Sequence, residues 1–204
     1  MYDKSKYLVL VGAVALFAGC SSSSNSIDDD NPAFTALLDD ATTMAAGLVD
    51  LDTGASLAAE RTNLPESGGV TFTGFVGGDV DGATLIGELT LNATFAAADT
   101  GSITGSATGF EHETDGAYTG TLDVDPMTSF IIPGTMSSDA DGLTVDLSGN
   151  LQNGGMTYAT DITLDGSFFG GADNGSDDPT AVGGAAFGDV GADSFDGAFV
   201  ATSP

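Results

Sequence analysis

The sequence predicts an all-β protein, an antiparallel β-barrel built from eight or nine short strands. From Val70 onward, apolar and polar residues alternate with a period of two, which is typical of strands with one buried side. Gly-Asp, Asp-Gly and Asn-Gly pairs, which favour tight turns, separate the alternating stretches, and no helical pattern lies between them. Glycine recurs on the apolar side of these stretches, which favours the strong curvature of a barrel over a sandwich.

The chain begins with the features of an export signal. Two lysines precede an apolar run over 7–18, and two small residues stand directly before Cys20. This arrangement is typical of a secretory signal, and the run is shorter than the roughly 20 apolar residues of a membrane-spanning helix. The small residues before the cysteine also resemble a bacterial lipobox. We therefore predict a signal peptide over 1–19 and lipidation of Cys20, with an ordinary signal peptide and an incidental cysteine as the alternative.

A tether and a helical segment follow the predicted lipid anchor. Ser, Asn and Asp dominate residues 20–31, a composition typical of a flexible linker. Asn31 followed by proline is typical of a helix N-cap and first helical position, so residues 32–63 are predicted to be helical. The helix is expected to fray near Gly47 or Gly54. Its apolar stripe is expected to pack on the barrel, with binding of a partner as the alternative.

Residues 64–204 form the predicted barrel domain. The alternating stretches lie at 70–76, 85–95, 103–107, 118–124, 143–147, 162–168, 181–188 and 195–201. A further stretch, 129–136, contains Pro133, which limits it to an edge or a bend. A membrane-spanning barrel carries aromatic girdles, whereas tryptophan is absent here and only Tyr118 and Tyr158 are tyrosines beyond the signal. We therefore expect a water-soluble barrel whose apolar side chains fill the interior.

The charge of the chain excludes one class of partner. Thirty Asp and Glu residues stand against three Lys and Arg, which gives a formal net charge of −27. A surface of this kind repels phosphate groups, so nucleic acid is excluded, and so is electrostatic attachment to anionic lipid. Solubility in a saline habitat explains such a surface, and recognition of basic partners or divalent cations is the alternative. The single cysteine excludes an internal disulfide.

Glycine and aromatic residues recur in a fixed order near the end of the chain. The motifs are Gly166-Ser167-Phe168-Phe169-Gly170, Ala181-Val182-Gly183-Gly184-Ala185-Ala186-Phe187 and Phe195-Asp196-Gly197-Ala198-Phe199-Val200-Ala201. Together with Leu64-Pro65 ahead of the first strand, they resemble the barrel of transferrin-binding protein B type surface lipoproteins.

That resemblance covers about residues 64–204 and implies an eight-stranded barrel with a filled interior. It also implies a non-enzymatic lipoprotein of the bacterial outer membrane, exposed at the cell surface, that captures a protein or a small solute, with iron-related uptake as one such role. The chain has one barrel rather than the two lobes of transferrin binders, so no ligand-binding residue is carried over from the family.

Two features are candidates for sites of chemistry. His112, the only histidine, is predicted to be a solvent-exposed loop residue, and no nucleophile-elbow sequence accompanies it, so no enzyme is expected. Acidic loops at 79–82, 139–142 and 173–178 place carboxylates at short spacing in turns. Calcium accepts about 6–8 oxygen ligands with tolerant geometry, so these loops are candidates for weak calcium binding. Hairpin turns use the same residue types, and no other cofactor is expected.

Three functions therefore stay open from the sequence. The first is capture of a protein or small solute, and the second is a structural envelope lipoprotein with no soluble ligand. The third is storage of a ligand inside the barrel, as in lipocalins, which the apolar inward residues disfavour.

Overall fold

A computed structural model describes residues 31–50, 56–98, 100–133, 140–172, 175 and 177–204. These residues form one helix and ten strands. In chain order they are α1 (Pro32–Ala46), β1 (Ser67–Val80), β2 (Ala83–Ala96), β3 (Thr100–His112), β4 (Gly116–Tyr118), β5 (Leu122–Val124), β6 (Phe130–Ile132), β7 (Gly142–Asn153), β8 (Met156–Phe169), β9 (Ala181–Val190) and β10 (Asp193–Thr202). The predicted signal peptide, Cys20 and nearly all of the predicted tether lie outside the described residues.

The strands close into a single antiparallel barrel. β1 pairs with β2 and β2 with β3, while β7 to β10 pair in succession and β10 pairs back with β1. Between β3 and β7, the three short strands β4, β5 and β6 share one strand position. The barrel therefore has eight positions, which confirms the predicted architecture.

The fourth strand position is broken where the sequence predicted one continuous strand over 118–124. β4 ends at Tyr118 and β5 begins at Leu122, with Gly120 between them at φ 138°. A Cβ at Gly120 would clash with the carbonyl oxygen of Asn150, so only glycine fits this bend. A second break separates β5 from β6, and β6 ends directly before Pro133, where proline offers no ladder N–H.

The apolar side of the strands faces the barrel interior and fills it. Aromatic rings occupy the space that inward glycines leave free. A Cβ at Gly166 would lie 2.7 Å from the ring of Phe199, and one at Gly87 would lie 2.6 Å from the ring of Phe110. The buried aromatic and large aliphatic side chains of the core include Phe72, Phe95, Phe168, Phe195, Leu89, Leu91, Val145, Leu147, Ile162 and Leu164. The interior is thus a packed apolar core, as predicted.

Helix α1 packs on the outside of the barrel, across β1, β2, β3 and β10. Its buried residues Phe34, Leu38 and Ala41 form a second apolar cluster with two side chains that point outward from the barrel, Ile86 and Ala198. The predicted packing of the helix on the barrel is therefore confirmed.

The N-cap of α1 is also its attachment to the barrel. The Oδ1 atom of Asn31 accepts a hydrogen bond from the N–H of Phe34 at 3.1 Å. The Nδ2 atom of Asn31 donates to the carbonyl oxygen of His112 at 3.0 Å. One side chain thus begins the helix and holds its first turn at the end of β3.

The helix is shorter than the predicted helical segment 32–63. It ends at Ala46, directly before Gly47, the first of the two glycines near which fraying is expected. Among the described residues after the helix, isolated antiparallel bridges join Val49 to Ser56 and Glu60 to Phe169 at the end of β8. Residues 56–63 are therefore bends and bridges rather than helix, and the N–H of Arg61 donates to the carbonyl oxygen of Phe168 on β8 at 2.9 Å.

Candidate binding surface

One end of the barrel is closed by the segment that leads into β1. Leu64 is buried in the interior core. Arg61 is 1% exposed, and its guanidinium donates to the carbonyl oxygens of Gly170, Asn63 and Asp177 at 2.7–3.1 Å. These carbonyls belong to the entering segment and to the loop after β8, so Arg61 joins the two. Its positive charge, the only one from Lys or Arg beyond residue 6, is thus enclosed within the fold.

His112 lies at the opposite end of the barrel and is buried, with 5% exposure. The prediction of a solvent-exposed loop histidine is therefore wrong. The physical reason is a β-bulge at Gly109, where φ is 62° and the pairing of β3 with β2 shifts register. The bulge reverses the alternation, so Phe110 and His112 both face inward. The Nδ1 atom of His112 accepts the N–H of Asp115 at 3.2 Å.

Tyr118 packs between two rings at this same end. Its centroid lies 5.8 Å from that of His112 and 5.4 Å from that of Tyr158, and its hydroxyl donates to Asp115 at 3.4 Å. Burial first, and then the neighbouring Tyr158 and Asp115, raise the pKa of Tyr118 to about 12. The phenol therefore stays neutral at ordinary pH. It acts here as a hydrogen-bond donor that closes the barrel end.

Carboxylates form rows across the outer side of β5, β7, β8 and β9. In one row Asp123 lies opposite Ser148, Ser148 opposite Asp161, and Asp161 opposite Asp189. The polar side of the strands faces water, so most of these side chains are exposed. We call the five outward carboxylates of these strands the acidic face, which consists of Asp123, Asp146, Asp161, Asp165 and Asp189.

Like charges meet directly on the acidic face. Asp161 and Asp189 are cross-strand partners on β8 and β9. Directly opposite residues have Cβ atoms about 4.5–5.5 Å apart, and like charges at that distance destabilise a sheet. Arg61 is enclosed at the barrel end, so no Lys or Arg side chain of the barrel domain offsets this charge. The acidic face is a surface that external cationic groups would neutralise.

The sequence patterns predict acidic loops, and the acidic face is not among the predicted sites. The alternation already marks Asp161 and Asp165 as outward on β8, and Asp146 as outward on β7. The alternation does not show in which register neighbouring strands pair. Asp161 and Asp189 are 28 positions apart in sequence and meet only through the pairing of β8 with β9.

The predicted calcium loops lie in different settings. The Oδ1 atom of Asp79 accepts the N–H of Gly82 at 3.2 Å within the β1–β2 hairpin, an ordinary turn interaction. Asp141 is buried, and its N–H donates to the carbonyl oxygen of Arg61 at 2.8 Å. Asp139 and Asp173 lie outside the described residues. Across the described ranges, no group of three His, Cys, Asp or Glu side chains is placed to hold a metal ion.

No protein-family model, curated protein or solved structure matches this chain. In the part of the chain that the structure describes, no helix has the length and apolar character needed to cross a membrane. The lipidation of Cys20 stays a prediction from the sequence.

Proposed function

We propose that this chain is a non-enzymatic lipoprotein of the bacterial outer membrane, anchored through Cys20 and exposed at the cell surface, whose barrel binds a protein or a small solute. The observation that carries the binding role is the acidic face, five carboxylates on neighbouring strands with no basic side chain of the barrel domain to offset them. Residues 20–31 act as the tether between the lipid and the folded barrel.

The form of the barrel supports binding on its outside. The interior is packed with apolar side chains, one end is closed by Leu64 and Arg61, and the other by His112 and Tyr118. These features disfavour storage of a ligand inside the barrel. They are also compatible with the resemblance of residues 64–204 to transferrin-binding protein B type lipoproteins, which supports capture at the cell surface and iron-related uptake as one role.

The anchor is tested by metabolic labelling with a fatty-acid analogue. The wild-type chain should incorporate the label and sediment with membranes. The Cys20→Ser variant should lose the label and be released. Labelling that persists in Cys20→Ser would contradict the anchor and leave an ordinary export signal as the explanation.

The binding role is tested by capture on the immobilised full chain carrying Cys20→Ser. Secreted proteins and iron-carrying solutes are passed over it, and bound material is identified by mass spectrometry. Selective, saturable retention should fall when the five acidic-face residues are changed to asparagine, and it should weaken with added salt. A matched control neutralises five exposed carboxylates elsewhere, Asp39, Asp40, Glu60, Glu66 and Glu88.

The control has the same net charge as the test variant, so unequal loss assigns binding to the acidic face rather than to total charge. Equal loss in both variants would contradict the assignment. Recovery of envelope proteins alone, or of nothing, would favour the structural role.

A further inference from the structure

Exposed apolar side chains cluster where the barrel wall is broken. Among the described residues, six large apolar side chains are exposed, and three of them lie within six positions of one another. They are Met127, Phe130 and Ile132, which are 87%, 47% and 39% exposed. We call these three residues the seam patch, because they lie on β6 and on the turn that precedes it.

The seam patch is open because its cross-strand neighbours are small. Phe130 and Ile132 point outward from β6. Phe130 lies opposite Ser102 on β3 and Thr144 on β7, and Ile132 lies opposite Gly142. None of these three neighbours is large enough to shield an aromatic ring or an isoleucine. Helix α1, which covers apolar residues elsewhere on the wall, packs on β1, β2 and β10 and is hydrogen-bonded to β3 at its His112 end.

Hydrogen bonds fix the turn that carries Met127. The N–H of Met127 donates to the Oδ1 atom of Asp125 at 2.8 Å. The N–H of Asp125 donates to the carbonyl oxygen of Asp146 at 2.8 Å, and the N–H of Asp146 donates to the Oγ atom of Ser129 at 2.9 Å. The exposed position of Met127 is therefore maintained by bonds to β7.

Carboxylates border the seam patch. Asp123 and Asp125 precede the turn, and Asp146 on β7 accepts its backbone bond. Asp165 on β8 lies in the same cross-strand row as Phe130, since both are opposite Thr144 on β7. An apolar patch with an acidic border is complementary to a segment that presents apolar side chains between lysines or arginines.

We propose that the seam patch and the carboxylates around it are the docking site for a basic amphipathic segment of a partner protein. Its apolar side chains cover Phe130 and Ile132, and its cationic groups lie against Asp123, Asp146 and Asp165. This deepens the proposed function by naming a partner class, and it does not depend on the lipid anchor. A second copy of the chain is a poor occupant, because two net charges of −27 repel.

The probe is a synthetic peptide of alternating leucine and lysine, titrated into the full chain carrying Cys20→Ser. A serine–lysine peptide keeps the charge without the apolar side chains, and a leucine–glutamate peptide reverses the charge. The leucine–lysine peptide should bind saturably, the serine–lysine peptide about tenfold more weakly, and the leucine–glutamate peptide not at all. The apolar contribution corresponds to burial of one or two side chains.

Phe130→Ser combined with Ile132→Thr should weaken binding of the leucine–lysine peptide about tenfold or more. Phe187→Ser is the matched control, because Phe187 is also 47% exposed and points outward, from β9. Thermal unfolding of both variants verifies that they are folded. A further variant, Met127→Ser, changes only the turn and is not expected to alter the fold.

Unchanged binding in the folded Phe130→Ser, Ile132→Thr and Met127→Ser variants would overturn the proposal. Equal affinity for the serine–lysine and leucine–lysine peptides would overturn it as well, as would self-association of the wild type that Phe130→Ser abolishes. If Cys20 does not take up the fatty-acid label but the peptide still binds, the proposed lipid anchor is contradicted. The proposed docking site is then still supported.

Discussion

The outer wall of the barrel has two sides that share the same strand geometry and differ in what covers them. On the side formed by β1, β2 and β10, outward residues such as Ile86 and Ala198 are buried under α1. On the side formed by β5, β7, β8 and β9, outward residues such as Asp123 and Asp161 face water. We call these the covered side and the open side. The alternation that builds the core leaves the outward positions free, and their chemistry decides whether a side binds the helix or faces solvent.

The covered side is marked in the sequence by neighbouring apolar residues. Leu85-Ile86 and Phe199-Val200 each place one apolar side chain inward and the next outward, and all four are buried. Strands buried on both faces show such uninterrupted apolar pairs. On the open side, the apolar residues of β7 and of the middle of β8 alternate with polar ones, with aspartate or threonine between the core residues of β8. Adjacent apolar pairs accompany the cover on these strands but do not by themselves predict one, because the run Phe130-Ile131-Ile132 on β6 is exposed at its first and last residues.

The largest expected effect is a difference between the two sides in how much a substitution lowers the free energy of unfolding. Ile86→Ala on the covered side should lower the free energy of unfolding by about 2–5 kcal/mol, because it leaves a cavity beneath α1. Phe187→Ala on the open side removes a larger side chain that is half exposed, and it should cost less than about 1 kcal/mol. Chemical denaturation of both variants measures the difference. Equal losses of unfolding free energy in the two variants would contradict the difference between the two sides.

Arg61 lies at the barrel end, where it joins the segment that leads into β1 to the loop after β8. Arg61→Met should lower the free energy of unfolding by about 3 kcal/mol, because three carbonyl oxygens lose a charged donor. Arg61→Lys keeps the charge but not the planar fork, so an intermediate loss is expected. Hydrogen exchange should show the N–H of Arg61, bonded to Phe168, as an early site of opening in Arg61→Met.

Asn31 tests how firmly the helix is held on the covered side. Asn31→Ala removes the helix cap and the bond to the carbonyl oxygen of His112, and it should cost about 1–2 kcal/mol. Asn31→Asp restores the cap acceptor without the donor, so it should recover only part of the loss. Thermal unfolding compares the two variants, and full recovery in Asn31→Asp would show that the bond to β3 contributes nothing.

The open side should become more stable when its charge is reduced. Asp189→Asn removes the cross-strand repulsion with Asp161 and should raise the free energy of unfolding by about 0.2–1 kcal/mol at low salt. The gain should shrink in high salt, which screens exposed charges. Asp39→Asn, an exposed change on α1, serves as the control of equal charge. A gain at Asp189 that does not respond to salt would argue against repulsion as its cause.

The smallest effect at neutral pH is expected at Tyr118, away from both sides. Its pKa is raised to about 12 from an ordinary 10.0, so the folded state holds the phenolic proton more tightly than the unfolded chain does. The resulting stability is fully present below pH 10 and is lost as pH rises through about 12. Tyr118→Phe should remove this alkaline loss. Spectroscopic titration of the phenol that gave an ordinary pKa would contradict the burial described here.

The barrel could be predicted from the sequence because apolar residues at every second position identify the side chains that fill its core. The inward residues of the long strands, among them Leu89, Val145 and Leu164, were placed on the correct side. The helix after Asn31 was also predicted, since its cap and spacing are local signals. Local patterns of this kind need no knowledge of distant pairing.

Features that depend on pairing or on a register change could not be predicted in the same way. The bulge at Gly109 reverses the inward side of β3, so His112 was expected in solvent and lies inside. The break at Gly120 follows from the close approach of Asn150 across the sheet. The acidic face likewise exists only through pairing, because Asp123, Asp161 and Asp189 come from three separate strands.

The most direct test of the open side as a binding surface is a map of amide NMR shifts during titration with the leucine–lysine peptide. Perturbed amides are expected on β6 and the turn before it, and on the neighbouring parts of β7 and β8. The covered side and the Tyr118 end should remain unchanged. Perturbations centred on α1, β1 and β10, or spread evenly over the barrel, would contradict the account.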